Sequence, residues 1–230
     1  NDATIKMIWC ARGGYGTVRM IDLVDFAVFL NQPKWIVGFS DVTVLHNHLH
    51  QICIATIHGI MPFSVPRTET VSITSLQQVL FGNSISYSIP FSPNNRLGKT
   101  QGTLIGGNLS IMYALLGSPS AINTQGKILF IEDLDEYLYH IDRMLMNVKR
   151  NGLFKDLAGL IVGGMTDMHD NEIPYGMNAQ QIILDITAEF DFPVTFDFPA
   201  GHVKDNRALI FGKEIQLEVT SEGTTVNYIN

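Results

Sequence analysis

The sequence is short of the features that mark secreted, metal-binding and polyanion-binding proteins. Two cysteines, Cys10 and Cys53, occur in 230 residues. Neither belongs to a Cys-x-x-Cys pair, so a disulfide framework and a zinc ribbon are both excluded. Each lies in an apolar stretch and reads as a reduced core residue of a cytosolic protein, which makes the cytoplasm the expected compartment. No apolar run is long enough to span a bilayer, and Asn1-Asp2-Ala3-Thr4 is not a signal peptide. Charge is sparse and acidic, with 15 Lys and Arg against 22 Asp and Glu and no basic cluster. Nucleic acid and anionic membrane are therefore not expected partners. No Gly-Lys-Ser/Thr follows a glycine loop, so no phosphate-binding P-loop is present. His46, His48 and His50 alternate by two, which spreads them around a helix, and no His-Glu-x-x-His occurs; neither a metal nor an organic cofactor is expected.

What is present is a chain with 46% hydrophobic residues, enough to bury a substantial core. Its organising stretch runs from Trp35 to His46. Residues 35–39 read as a buried parallel strand, and Val42, Leu45 and Leu49 then recur at helical spacing, so Ser40 falls on a strand-to-helix corner. A serine there projects its hydroxyl from the carboxyl edge of a sheet, and the next amide points from the positive end of the first turn. The second glycine of the usual Gly-x-Ser-x-Gly elbow is missing, and Ser40 or Asp41 also suits a helix N-cap. Upstream, residues 4–11 read as a buried strand, Trp9 included, that runs into Arg12-Gly13-Gly14-Tyr15-Gly16, a loop able to expose backbone N–H groups to an oxyanion or simply to turn tightly. With a helix over 17–30, these pieces make a right-handed βαβα unit whose two loops face one crevice.

Residues 55–62 form another candidate strand ending in His58-Gly59. Residues 63–99 are rich in proline, asparagine and Ser/Thr around one weak helix at 72–81, and read as the connection between two domains. The divisions are 1–65, a connection over 66–100, and 101–230. In the second domain, Gly106-Gly107-Asn108 opens a helix, strand 127–131 delivers Glu132 and Asp133, and a helix covers 141–148. Strand 157–164, helix 179–190 and strand 192–198 follow, the last leading into Gly201-His202. Residues 208–211 and 214–219 resemble a hairpin around Gly212-Lys213. Carboxylates directly after a buried strand suggest a cleft edge.

Amide hydrolysis at neutral pH needs a nucleophile, a base, a group that orients the base, and oxyanion donors. Ser40, His202, Glu132 and the amides of Asp41 and the Gly13-Gly14 turn supply one of each at loop positions after strands. The alternative is that Glu132 pairs with Arg143 while His202 caps a turn. Arg12, Gly13 and Asn108 are candidate substrate contacts.

Arg12-Gly13-Gly14-Tyr15-Gly16, Gly38-Phe39-Ser40-Asp41-Val42-Thr43, His58-Gly59-x-Met61, Gly106-Gly107-Asn108-Leu109, Phe130-Ile131-Glu132-Asp133, Arg143-Met144-Leu145 and Gly201-His202 together resemble the signature blocks of the LD-carboxypeptidase family of serine peptidases. The resemblance runs in order over nearly the whole chain. It implies Ser40 as nucleophile, Glu132 orienting His202, and oxyanion donors at Asp41 and at Gly14 or its neighbour Gly13. It implies a Rossmann-like, parallel-sheet α/β amino-terminal domain and a carboxyl-terminal β-rich domain with helices. The activity implied is release of terminal D-alanine from a dibasic L-centre in cytosolic murein tetrapeptides, a small peptide substrate, with a homodimer as the expected assembly. Relatives that cleave peptide-nucleotide antibiotics form one alternative, and a silent peptide-binding module another. Family members carry a first strand and helices ahead of the Arg12 block, and without them an amino-terminal sheet is expected to expose apolar surface.

Overall fold

A computed structural model describes residues 2–229. The amino-terminal part begins with β1 (Met7–Trp9), the short helices α1 (Thr17–Met20) and α2 (Ala27–Asn31), then β2 (Trp35–Gly38), α3 (Thr43–Gln51) and β3 (Thr56–His58). β1, β2 and β3 pair in parallel, so the loops after β1 and β2 leave the same edge. The continuous helix expected over 17–30 is instead broken into α1, a 3₁₀ turn at Ile21–Leu23 and α2. Asp25 accounts for part of this break, because its side chain accepts a hydrogen bond from the Ala27 amide and starts a new helix.

The stretch read as an interdomain connection holds α4 (Thr70–Leu80), β4 (Ser86–Pro90) and the start of β5 (Gly98–Asn108). α5 (Leu109–Leu115), β6 (Ile128–Leu134), α6 (Leu138–Arg150), β7 (Gly159–Thr166), α7 (Ala179–Ile186) and β8 (Val194–Thr195) then alternate. The chain closes with β9 (Leu209–Phe211), β10 (Glu214–Val219) and β11 (Gly223–Tyr228). A seven-stranded sheet has the order β4-β11-β10-β5-β6-β7-β8, with β5 to β8 parallel and the remainder antiparallel. β4 is thus an integral edge of this sheet. The expected hairpin of residues 208–219 does not form: β9 pairs antiparallel with β3 in the other, four-stranded sheet, while β10 pairs with β5 and β11. Val37 and Ile57 of one sheet pack with Leu104, Phe130 and Leu217 of the other in a single core, so the two sheets are held face to face by burial.

Two core assignments are corrected. Cys53 is exposed, because it ends α3 with a left-handed backbone (φ 60°) and turns outward. Trp9 is 37% exposed, its indole N–H donating to the Ile60 carbonyl, since β1 is the edge strand of its sheet. Ile8, Met20, Val24 and Val28 are exposed near it and line an apolar groove of about 310 Å³. Among the described residues, no helix is long and apolar enough to cross a membrane.

Candidate active site

β2 is buried along most of its length and delivers Phe39 and then Ser40 at its carboxyl end. Ser40 has φ 65°, a left-handed conformation that costs a non-glycine residue about 1 kcal/mol or more and persists where the surroundings enforce it. A 3₁₀ turn over Ser40–Val42 follows and runs directly into α3. Ser40 makes no side-chain capping hydrogen bond to this helix start, and neither does Asp41. The Asp41 carboxylate instead accepts the Thr17 amide at 3.1 Å and the Thr17 hydroxyl at 2.7 Å, tying the first turn of α1 to the Ser40 corner.

The glycine loop after β1 lies on this corner. A Cβ on Gly13 would sit 2.8 Å from Ser40 Cβ and 3.0 Å from its Oγ, closer than any side chain allows. Glycine is therefore required where the loop backbone crosses the serine.

Glu132 comes from the carboxyl end of β6, where the ladder to β7 is irregular: Ile131 faces Val162 but Asp133 faces Met165. The extra residue in β7 is a bulge that re-aims this end of the pair. Glu132 is fully buried, and its Oε2 accepts both the His202 backbone N–H at 3.1 Å and His202 Nδ1 at 2.7 Å. Because a carboxylate only accepts, Nδ1 carries the proton and Nε2 is left as the basic nitrogen. Gly201 permits this approach: it has φ 103°, and a Cβ there would meet Glu132 Oε2 at 2.6 Å. Burial pulls the His202 pKa down, but the hydrogen bond and charge of Glu132 and the charge of Asp133 outweigh it and raise the value above 6.5. Arg143 is elsewhere, its guanidinium 5.5 Å from the centre of the Tyr139 ring, so the alternative Glu132–Arg143 pairing is not formed.

Ser40 and His202 line one cavity of about 370 Å³, with Arg12, Gly13 and Gly14 from the glycine loop. The His202 ring packs 4.8 Å from that of Phe39, the residue before Ser40. No direct hydrogen bond joins Ser40 Oγ to His202 among the described residues; in substrate-free sites such pairs are often long and tighten around the reacting group. A larger opening of about 780 Å³ lies beside β7 and the start of α7, but neither Ser40 nor His202 lines it. The smaller cavity is the candidate active site because both the Ser40 hydroxyl and the oriented imidazole line it.

Two family models match this chain, that of the LD-carboxypeptidase N-terminal domain over residues 1–59 and that of the LD-carboxypeptidase C-terminal domain over residues 101–217. The probable murein peptide carboxypeptidase of Bacillus subtilis (strain 168) is 35% identical over 98% of this chain and 72% of its own length. The chain belongs to the LD-carboxypeptidase family. The murein tetrapeptide carboxypeptidase of Pseudomonas aeruginosa is 29% identical over 93% of this chain and 73% of its own. The crystal structure of muramoyltetrapeptide carboxypeptidase from Oxalobacter formigenes superposes with a TM-score of 0.90 at 26% identity, covering 98% of this chain and 79% of that one. The microcin C7 self-immunity protein MccF shares the fold, with a TM-score of 0.82 at 19% identity, over 97% of this chain and 76% of its own.

Three sequence-selected residues do other work. Asn108 does not line the cavity: it is 4% exposed, caps α5 by accepting the Ile111 amide, and donates to Asp133. At this helix start its side chain is taken up by the cap and by Asp133. Asp133 accepts hydrogen bonds from Asn108, Leu134 and Ser110, while burial and the adjacent Glu132 push its pKa up to about 7. His58 is wholly buried against Phe130, Phe211 and Phe39, and burial drives its pKa well below 6.5. His46 bonds Thr56 and the Gly38 carbonyl, His48 bonds Ser120, and no cluster able to hold a metal occurs among the described residues. Sequence reasoning missed Phe63, Ser64 and Arg67, which also line the cavity. They follow His58-Gly59-x-Met61 in a stretch whose irregular composition carries no periodic signal.

Proposed function

We propose that this LD-carboxypeptidase is a serine hydrolase that removes terminal D-alanine from murein tetrapeptides in the cytoplasm, cutting after the L-centre of the dibasic third residue. The observation that carries the reading is the buried Glu132–His202 pair opening onto the cavity that holds Ser40 on its strained turn. His202 Nε2 takes the Ser40 proton as Oγ attacks the peptide carbonyl. The resulting oxyanion is received by the amides of Asp41 and Gly14, and the departing amine of D-alanine takes the proton back from His202. Water, deprotonated in turn by His202, then releases the tripeptide from Ser40. Glu132 holds the imidazole in the required tautomer throughout. The names and identities of the Bacillus and Pseudomonas relatives support the substrate class.

A second reading, cleavage of a peptide-nucleotide, has one observation in its favour: Phe63, 56% exposed on the cavity wall, offers an aromatic face. Incubation with lysine-type and diaminopimelate-type tetrapeptides, followed by mass spectrometry, is expected to yield equal amounts of D-alanine and tripeptide. No D-alanine from a protein whose Ser40 still reacts with a fluorophosphonate would move the substrate to the second class. An unreactive Ser40 would end the serine-hydrolase reading.

The close approach of the glycine loop sets a further expectation. Gly13→Ala forces a methyl against Ser40 and shifts both the nucleophile and the neighbouring donor. A fall in kcat of about 10²–10³ is expected, the size associated with loss of one oxyanion donor. The thermal midpoint should move little, because the loop lies at the surface. Unchanged kcat in a folded variant would show that the loop stands clear of the reacting groups.

A further inference from the structure

The cavity holding Ser40 and His202 is lined by two arginines, Arg12 and Arg67, and by no aspartate or glutamate. Both guanidinium groups lie over the ring of one residue, Phe63, at 5.1 and 5.5 Å from its centre. Among the described residues, neither arginine forms a salt bridge, although the sequence holds 22 acidic residues against 15 basic ones. Two other arginines are satisfied, Arg207 by its pair with Asp205 and Arg96 by donating to the carbonyls of Phe190 and Thr187, while Arg19, Arg143 and Arg150 stand apart from this cavity. Two like charges gathered on one ring repel each other, and the negative face of the ring offsets this in part. An anion received between them would offset it further. The planar N–H pairs of guanidinium match a carboxylate in both spacing and direction.

We propose that Arg12 and Arg67, propped on Phe63, bind the free terminal carboxylate of the peptide substrate, so that the site accepts chain ends and rejects internal bonds. This rests on the hydrolase reading above. A carboxypeptidase must hold the terminal carboxylate one residue beyond the bond presented to its nucleophile, and Arg12, Arg67 and Ser40 line the same cavity. Both arginines are exposed, so their substitution leaves the core untouched.

The test compares a tetrapeptide ending in free D-alanine with the same peptide ending in D-alanine amide, each in lysine-type and diaminopimelate-type form. Wild-type protein is expected to prefer the free acid by about 10–100-fold in kcat/KM, the worth of a charge-assisted hydrogen bond. Arg67→Gln should shrink that preference to a few-fold, mainly through KM, and Arg67→Lys should restore part of it. A preference untouched by both Arg67→Gln and Arg12→Gln overturns the clamp. A preference that follows the side-chain carboxylate of diaminopimelate, not the terminus, overturns the terminal assignment. Fluorophosphonate labelling of wild-type Ser40 reads the underlying hydrolase chemistry separately. Label with no acid-over-amide preference sinks the clamp alone, and absence of label sinks the reading beneath it.

Discussion

Ser40→Ala is expected to lower kcat for D-alanine release by about 10⁴–10⁶ while leaving the thermal midpoint within a few degrees of wild type. The two halves of this expectation have separate causes. Rate falls because the hydroxyl is the only group of the corner able to form an acyl intermediate. What remains is the contribution of the oxyanion amides and of substrate binding, which in serine hydrolases is still well above the rate in water. The fold is spared because Ser40 Oγ supports neither helix start: the Asp41 carboxylate holds α1, and α3 has no side-chain cap. Alanine also tolerates φ 65° about as poorly as serine, so the backbone strain is common to both proteins. Single-turnover kinetics with the tetrapeptide, beside a melting curve, measure both halves. A folded variant within tenfold of the wild-type rate would remove Ser40 from the reaction.

The corner carrying Ser40 was legible because the strand, the turn and the helix after it are local and each has its own period. A run of apolar residues gives way to helical spacing at the one place where the chain must change direction. The same holds for Glu132 at the end of an apolar strand and for Gly201-His202 at the end of another. What could not be read is the partner of each strand. β9 is three residues long, and nothing in Leu209-Ile210-Phe211 says that it pairs with β3 of the other sheet when β10 lies two residues away. Similarly, β4 alternates exposed and buried residues as an ordinary strand does, but its surroundings of proline and asparagine disguised it as linker. Its role emerges only with β11, at the far end of the chain. Asn108 shows the limit at the site itself, because a polar residue after two glycines suits a substrate contact and a helix cap equally. Burial decided between them, and burial is a property of the whole fold.

The long-range pairings are also what assemble the site. Ser40 hangs from the small sheet, Glu132 and His202 from the large one, and β9 stitches the chain after His202 back to the strand beside β2. The Gly164 amide donates to the Ala200 carbonyl and Thr166 Oγ1 to that of His202, so the bulged end of β7 holds the histidine loop from behind. The imidazole is thus fixed from β6 through its side chain and from β7 through its backbone. Ser40 lies on the opposite sheet with the Asp41 and Gly14 amides, which makes the distance between the sheets the coordinate that the shared core controls.

Glu132→Gln is expected to reduce kcat by about 10²–10⁴, and the loss should come from tautomer and charge with the fold kept. Glutamine has the same shape and fills the same buried place. Both His202 contacts go to one oxygen: with the glutamine oxygen in that place the contacts and tautomer are kept and only the charge is lost, whereas with NH₂ there the backbone N–H loses its acceptor and the imidazole proton is driven to Nε2, the nitrogen that must be bare to receive the Ser40 proton. The pH profile separates this from a general structural defect. In the wild type, His202 titrates above 6.5 because Glu132 and Asp133 favour its charged form over the cost of burial, and since the base acts when neutral, kcat/KM should climb as pH rises through that value. Removing the Glu132 charge leaves burial in control, so the acid limb of the residual activity should move to lower pH as its plateau falls. Stability follows the same sign. A histidine raised by its partner contributes stability that is full below the unfolded pKa of 6.5 and lost as pH rises through the raised folded value. Burial, and after it the Glu132 charge, pushes Asp133 up to about 7; the Glu132 share is a repulsion felt once both carboxylates are ionised, which further lowers wild-type stability on the alkaline side. The wild-type advantage in thermal midpoint over Glu132→Gln should accordingly be larger near about pH 6 than near about pH 9. A variant that keeps the wild-type acid limb and loses rate uniformly at every pH would show that Glu132 supports the loop without setting the charge of His202.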